Sequence, residues 1–163
     1  MKIPVIINGE KTILDESPDE KLLYVLRKHR FISAKRGCEE GKCGFCTVLL
    51  DDRPVSSCLI PVGIVKDCTI ETLEHFSGTK EYKNIEEGFK RAGVSLCGYC
   101  NSFKYFGVYR LLKDNYRPTK EQIYSFTAED KCQCTEQGAF INAILYATAI
   151  YHESEGRKKN VKL

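Results

Sequence analysis

Two β-rich runs, Lys2 to Ile7 and Glu10 to Leu14, open the hydrophobic pattern of the chain. They flank Asn8-Gly9, the pair best suited to a type I′ turn, so the first element is predicted to be a β-hairpin. Ser17-Pro18-Asp19-Glu20 then reads as a helix start, with Ser17 as N-cap, Pro18 at the first helical position and Glu20 closing a capping box. Leu22, Leu23, Val25 and Leu26 supply the apolar face of that helix. After a cysteine-rich loop, Thr47 to Leu50 and Val55 to Leu59 predict two strands joined by Asp51-Asp52-Arg53-Pro54, and Thr69 to Leu73 predicts another.

The pattern changes at Phe76-Ser77-Gly78-Thr79-Lys80, a polar stretch after which helical spacing dominates. A boundary here divides the chain into domains over 1–77 and 78–163. Tyr82, Ile85 and Phe89 fall three and four apart, Glu86/Lys90 and Glu87/Arg91 form i,i+4 pairs, and Gly93 suits the residue after a helix end. A second helix follows Cys100, with Phe103, Phe106, Tyr109 and Leu112 as its stripe. Thr119-Lys120-Glu121-Gln122 repeats the capping-box signal before a short third helix. The last helix is expected from about Thr135 to about Glu153.

Apolar residues at 42% and charged residues at 29% exclude a disordered chain. The longest apolar candidate, Gly138 to Tyr151, falls short of the roughly 20 residues of a membrane span and is interrupted by Asn142, so no membrane association is expected. The segment MKIPVIINGEK reaches its turn without a long apolar core or a small-residue cleavage site, which argues against an export signal and for the cytoplasm. In that reducing compartment, nine cysteines point to metal more than to disulfides, and an odd number leaves one thiol over in any disulfide scheme. A net charge of +3 with scattered basic residues does not argue for nucleic acid. The tail residues Arg157, Lys158, Lys159 and Lys162 are expected to be solvated.

The cysteines fall into two groups. Cys38-x4-Cys43-x2-Cys46, followed by Cys58, is the plant-type [2Fe–2S] ligand spacing. Three ligands come from one tight loop and the fourth from across it. Gly37, Gly41 and Gly44 are expected to take positive φ and bring N–H groups to the sulfurs, stabilising an anionic cluster, with Lys42 nearby. The second group, Cys97-x2-Cys100 and Cys132-x-Cys134, is ambiguous on spacing alone. Its helical flanks count against a thioredoxin-like motif, leaving a second Fe–S cluster or zinc held between helices.

Together the two groups resemble the small iron–sulfur subunit of the molybdenum hydroxylase family, which includes xanthine dehydrogenases, aldehyde oxidoreductases, aerobic-type carbon monoxide dehydrogenases and nicotinate dehydrogenases. The resemblance covers roughly residues 2 to 152 and all eight ligand positions, with supporting context in Gly37-Cys38 and Cys43-Gly44-Phe45-Cys46-Thr47-Val48. It implies an α+β chain: an N-terminal β-grasp plant-type ferredoxin domain, then a four-helix domain, each holding one [2Fe–2S] cluster. Cys38, Cys43, Cys46 and Cys58 would ligate the first, and Cys97, Cys100, Cys132 and Cys134 the second. Partners would be a large molybdopterin-binding subunit and an FAD-binding subunit. Electrons would pass the second quartet before the first on their way from the molybdopterin centre toward the flavin or another acceptor.

Three departures from the family pattern stand out. Leu96 replaces a usual Gln that contacts the pterin, Asn101-Ser102-Phe103 replaces Thr-Pro-Gly, and Gln133 and Glu136-Gln137 replace Arg and Gly-Tyr around Cys132 and Cys134. All are expected at the surface facing the cofactor-bearing subunit, which would then be remodelled. Cys68 belongs to neither quartet and is expected to be a small buried hydrophobe. His29 suits a helix C-terminus; His75 and His152 are isolated. Tyr99, Phe103, Tyr105, Phe106 and Tyr109 are expected in core and interface rather than as a nucleic-acid platform. No dinucleotide, Walker-type, Ser/His/Asp or H-E-x-x-H motif is present, so no catalytic residue is assigned and electron carriage is the expected role. The competing roles are a stand-alone ferredoxin-like carrier or redox sensor, and a zinc-stabilised interaction module.

Overall fold

Alternation along the first run builds the opening hairpin: Ile3, Val5 and Ile7 are buried on one side of β1 (Lys2–Ile7), as a period of two requires. β1 pairs antiparallel with β2 (Glu10–Asp15), and the linking Asn8 and Gly9 take φ of 53° and 84°, the mirror-image turn that suits strand twist. The computed structural model describes the backbone of residues 1–160 and the side chains of residues 1–156. The basic tail formed by Arg157, Lys158, Lys159 and Lys162 therefore lies outside the described side chains.

A five-stranded mixed sheet in the order β2-β1-β5-β3-β4 is completed by β3 (Thr47–Leu50), β4 (Arg53–Ser56) and β5 (Thr69–Glu71). β1 and β5 run parallel, and the other pairs are antiparallel. β3 is covered on both faces. Val48 enters the cluster formed with α1 (Leu22–Lys28), while Leu49 enters a second cluster formed mainly by helices.

Two local expectations are corrected. No capping box forms at Ser17: α1 begins at Leu22, and Pro18 to Lys21 instead pair with the segment after β4. Val62 N–H donates to the Glu20 carbonyl at 2.7 Å, Gly63 N–H to Pro18 at 2.8 Å, and Leu22 N–H to Ile60 at 2.7 Å. Those long-range bonds take up the Pro18 and Glu20 carbonyls and the Leu22 N–H, groups that a helix begun at Pro18 would have bonded within itself. The second correction lies in the β3–β4 hairpin, whose turn is only Asp51-Asp52, both with positive φ. β4 therefore starts at Arg53 and includes Pro54, tolerated because β4 is an edge strand. Ser57–Leu59 curls into a 3₁₀ turn instead of continuing the strand, and this turn carries Cys58.

A short helix α2 (Leu73–Phe76) leads to α3 (Lys80–Arg91), α4 (Asn101–Asp114), α5 (Lys120–Ala128) and α6 (Gln137–Asn160). Both expected ion pairs of α3 are formed, at 3.0 Å each, and Gly93 follows its C-terminus with φ 68°. The capping box of Thr119 and Gln122 is formed at α5. α6 starts slightly later than expected and runs on to Asn160. Among the described residues no helix is long and apolar enough to cross a membrane.

α4 packs the helical cluster against the sheet. Its buried Phe106 packs against Phe76 with ring centroids 5.0 Å apart. Tyr109 Oη donates to Asp52 Oδ1 at 2.7 Å, and Lys113 pairs with the same carboxylate at the β3–β4 turn. α3 and α6 cross closely, because a Cβ added at Gly88 would lie 2.6 Å from the backbone nitrogen and 2.8 Å from the Cα of Ala147. Backbone cannot move aside as a flexible side chain can. Gly88→Ala is expected to lower stability by about 1–3 kcal/mol through overpacking, read as a lower urea midpoint at unchanged slope; an unaltered midpoint would contradict the close crossing.

Candidate metal centres

The loop between α1 and β3 is built around the sulfur of Cys38. Three backbone N–H groups point at it: Glu40 at 3.4 Å, Lys42 at 3.2 Å and Cys43 at 3.3 Å, while Cys38 N–H points at Cys43 Sγ at 3.4 Å. The Glu40 amide and its neighbours hold the Cys38 thiol down to about 7 against the opposing effect of burial. Gly41 and Gly44 take φ of 72° and 76°, as expected, whereas Gly37 does not lie in the left-handed region. Gly37 serves close approach instead, since a Cβ there would sit 2.6 Å from Cys43 Sγ. The Lys42 ammonium pairs outward with Glu40 at 2.7 Å, so it is its backbone N–H that reaches the cysteines.

Cys46 and Cys58 lie beneath this loop, 2% and 1% exposed. Ser57 fixes their relation, donating its hydroxyl to the Cys46 carbonyl at 2.7 Å and its N–H at 3.3 Å. Burial pushes the Cys58 thiol up to about 11, helped by its hydrogen bond with Cys46.

The second quartet is tighter. The sulfurs of Cys97, Cys100, Cys132 and Cys134 all lie within 4.8 Å of one another, with Cys97–Cys132 at 3.6 Å and Cys100–Cys134 at 3.5 Å. Cys97 and Cys100 come from the turn entering α4, and Cys132 and Cys134 from the α5–α6 connection. Cys100 is fully buried, and burial raises its pKa. Cys97 is lowered by the N–H groups of Cys100 and Tyr99. For Cys134 burial works upward, but the Thr135 hydroxyl, the Cys97 N–H and the neighbouring thiols outweigh it and bring it to about 6. The quartet is all sulfur, a soft donor set that suits an iron–sulfur cluster or zinc, and N–H groups aimed at thiolates suit an anionic cluster.

The two loops touch. Tyr99 stands edge-on to Phe45 with centroids 5.3 Å apart, and its hydroxyl donates to the Arg36 carbonyl at 2.5 Å. Ser102, 1% exposed, donates to the Ser33 carbonyl at 3.0 Å. Phe103 lies on Gly44, where an added Cβ would come 2.5 Å from its ring, and stacks on Phe126 at 5.3 Å. The expectation that the three departures share an outward surface is therefore corrected for Ser102 and Phe103, which face the chain's own first cysteine loop. Leu96 is half-buried against the helical core, and Gln133 and Glu136 are exposed.

Two residues that matter here were missed from sequence. Lys104 is fully buried, with its ammonium 2.9 Å from Asp130 Oδ2 and 3.7 Å from Cys134 Sγ. Burial works to lower its pKa, but the Asp130 hydrogen bond and the nearby thiols raise it overall. Asp130 Oδ1 also accepts the Cys132 N–H at 3.0 Å. A usable signal existed: Lys104 falls one turn after Cys100, and an Asp two residues before Cys132 commonly takes that N–H. Cys68 is half-buried against the sheet cluster. His75 contacts Glu71 at 2.6 Å, His29 approaches Glu16 at 3.6 Å, and the His152 ring packs on Tyr116 at 4.0 Å.

Residues 5–64 match the family model of a 2Fe-2S iron-sulfur cluster binding domain, and residues 69–145 match that of a [2Fe-2S] binding domain. The chain is 34% identical over 142 residues to the nicotinate dehydrogenase small FeS subunit of Eubacterium barkeri, covering 86% of this chain and 90% of that protein. It is 32% identical to the nicotine 6-hydroxylase small subunit of Paenarthrobacter nicotinovorans, covering 90% and 89%. Mouse xanthine dehydrogenase/oxidase is 30% identical over 79% of this chain, which spans only 11% of that protein. Quinoline 2-oxidoreductase from Pseudomonas putida superposes with a TM-score of 0.81 at 29% identity, covering 93% of this chain and 96% of that one. The aldehyde oxidoreductase of Desulfovibrio desulfuricans superposes with a TM-score of 0.83 at 28% identity, with 17% of that chain covered.

The thiol environments order the reactivity of the metal-free chain. At pH 7.5 Cys134, near 6, and Cys38, near 7, are mostly thiolate, whereas Cys58, near 11, stays protonated. Brief iodoacetamide treatment followed by peptide mass mapping is expected to label Cys134 and Cys38 well ahead of Cys58; equal labelling at that pH would contradict the assigned environments.

Proposed function

The chain belongs to the molybdenum hydroxylase family as a small iron–sulfur subunit, and from that premise we propose that it is the electron-transfer subunit of a multi-subunit hydroxylase. It would pass electrons from a molybdopterin centre on a large partner toward a flavin on a second partner, or toward another acceptor. Each [2Fe–2S] cluster, when bound, supplies one-electron redox chemistry. Cys38, Cys43, Cys46 and Cys58 would hold the first, in a β-grasp ferredoxin domain over residues 1–77. Cys97, Cys100, Cys132 and Cys134 would hold the second, in the helical domain over residues 78–163.

The observation that carries the reading is the meeting of two all-sulfur sites inside one chain. One gathers four sulfurs within 4.8 Å, and the other aims three amides at Cys38 Sγ. The Phe45–Tyr99 and Gly44–Phe103 contacts hold the two loops against each other. The amides stabilise negative charge on the thiolates and so favour electron uptake. In this reading electrons enter at the helical quartet and leave from the loop of Cys38.

Iron and acid-labile sulfide counted on the anaerobically purified chain are expected at about four each, with two distinct EPR signals after dithionite reduction. About two irons would favour a stand-alone ferredoxin-like carrier, and zinc with little iron would overturn both readings. Cys43→Ser is expected to remove one signal and spare the other; equal loss of both would contradict two separate sites. Co-purification with a large molybdenum-containing chain checks the partnership.

A further inference from the structure

An unused charge sits under the second quartet. Lys104 is 0% exposed and Asp130 6%, so neither head group meets bulk water. The Lys104 ammonium has three hydrogen-bond donors and three neighbours: Asp130 Oδ2 at 2.9 Å, Cys134 Sγ at 3.7 Å and the Phe140 ring, whose centroid is 4.9 Å away. Asp130 turns its other oxygen to the Cys132 N–H at 3.0 Å. One buried pair therefore grips both cysteines of the C-x-C loop, Cys132 through its backbone and Cys134 through its sulfur, and ties them to α4 one turn beyond Cys100.

Stability alone is a poor account of this pair. Taking two charges out of water costs several kcal/mol each, and well-packed apolar residues of similar size usually replace a buried ion pair without loss. What an apolar pair cannot supply is a fixed positive charge beside a ligand sulfur. The hydrogen-bonding and charge environment of such sulfurs is among the levers that set a cluster's potential.

We propose that Lys104, held in place by Asp130, is a positioning residue that raises the reduction potential of the cluster bound by Cys97, Cys100, Cys132 and Cys134. The inference rests on the reading that this quartet holds a [2Fe–2S] cluster. One electron taken up there adds one negative charge to the cluster and its thiolates. The Lys104 ammonium stabilises that charge most at Cys134, and Asp130 partly offsets the ammonium in both oxidation states while holding it beside the sulfur. The quartet thereby differs from the loop of Cys38, where the sulfur's donors are three backbone amides and the Cys43 thiol.

The test compares wild type, Asp130→Asn and Lys104→Met/Asp130→Asn as full chains, by EPR-monitored dithionite titration with iron counted on each. Asn keeps the acceptor for the Cys132 N–H, so Asp130→Asn leaves the ammonium uncompensated beside the sulfurs. At the wild-type midpoint its reduced-to-oxidised ratio for the second cluster is expected to rise about ten-fold, ~59 mV for one electron. Adding Lys104→Met is expected to reverse that rise by ten-fold or more relative to Asp130→Asn. The signal lost in Cys43→Ser identifies the first cluster, whose midpoint is expected to stay put in every variant. An unmoved second midpoint in variants with full iron overturns the proposal while leaving the electron-transfer reading intact, and so does an equal shift of both clusters. If the double variant fails to fold, Lys104→Gln is compared with wild type, and a second midpoint that does not fall overturns the proposal. A wild-type chain with only about two irons would overturn the proposal together with the reading on which it rests.

Discussion

Bringing four cysteine sulfurs together inside a protein is opposed by burial and by mutual repulsion once they ionise, and the chain answers this with donors aimed at the sulfurs. At Cys38 the donors are backbone amides from a loop bent by Gly41 and Gly44. At Cys97 they are the amides of the turn entering α4, and at Cys134 the Thr135 hydroxyl and the buried Lys104. The deeper sulfurs go the other way: burial pushes Cys58 and Cys100 up and outweighs the Gly41 N–H at Cys58 and the Lys104 charge near Cys100. Each site thus pairs anion-favouring positions with deeply buried ones, an arrangement suited to thiolates that become stable together only when they share a metal group.

The sheet and the helices place these donors. β3, covered on both faces, delivers Cys46 at one end, and the 3₁₀ turn after β4 returns Cys58 to it through Ser57. α4 delivers Cys100 at its start and Lys104 one turn later, then runs along the sheet to Asp52. The same helix therefore serves the second site, the contact between the sites and the packing of the helices on the sheet. Ser102 and Phe103 belong to the contact between the sites, which gives their departure from the family pattern a reason internal to the chain. Phe103 fills the space over Gly44 that a smaller residue would leave open.

Much of the fold was legible from local signals. Asn8-Gly9, the ion pairs of α3, Gly93 and the Thr119–Gln122 capping box each depend on residues within a turn or two of one another, and each stands in the structure as expected. The failures share a cause. Ser17 to Glu20 has a helix-start sequence, yet its Pro18 and Glu20 carbonyls accept from the N–H groups of Gly63 and Val62, far along the chain, and the long-range bonds win. Val55 to Leu59 reads as a strand, yet the two-residue turn at Asp51-Asp52 moves the hairpin back and leaves Ser57–Leu59 to curl.

At the sites, the spacing of the eight cysteines determined the two groups and the soft-metal chemistry they favour, because ligand type and local loop length are properties of the sequence itself. Gathering Cys97 and Cys100 with Cys132 and Cys134, setting Phe45 against Tyr99 and burying Lys104 on Asp130 were decided by tertiary structure alone. A lysine in an amphipathic stripe looks like any solvated lysine until α6 brings Phe140 over it and the α5–α6 connection brings Asp130 to its ammonium. The four-residue spacing from Cys100 hints at Lys104, but whether its charge lies in water or against a sulfur depends on what the rest of the chain packs around it.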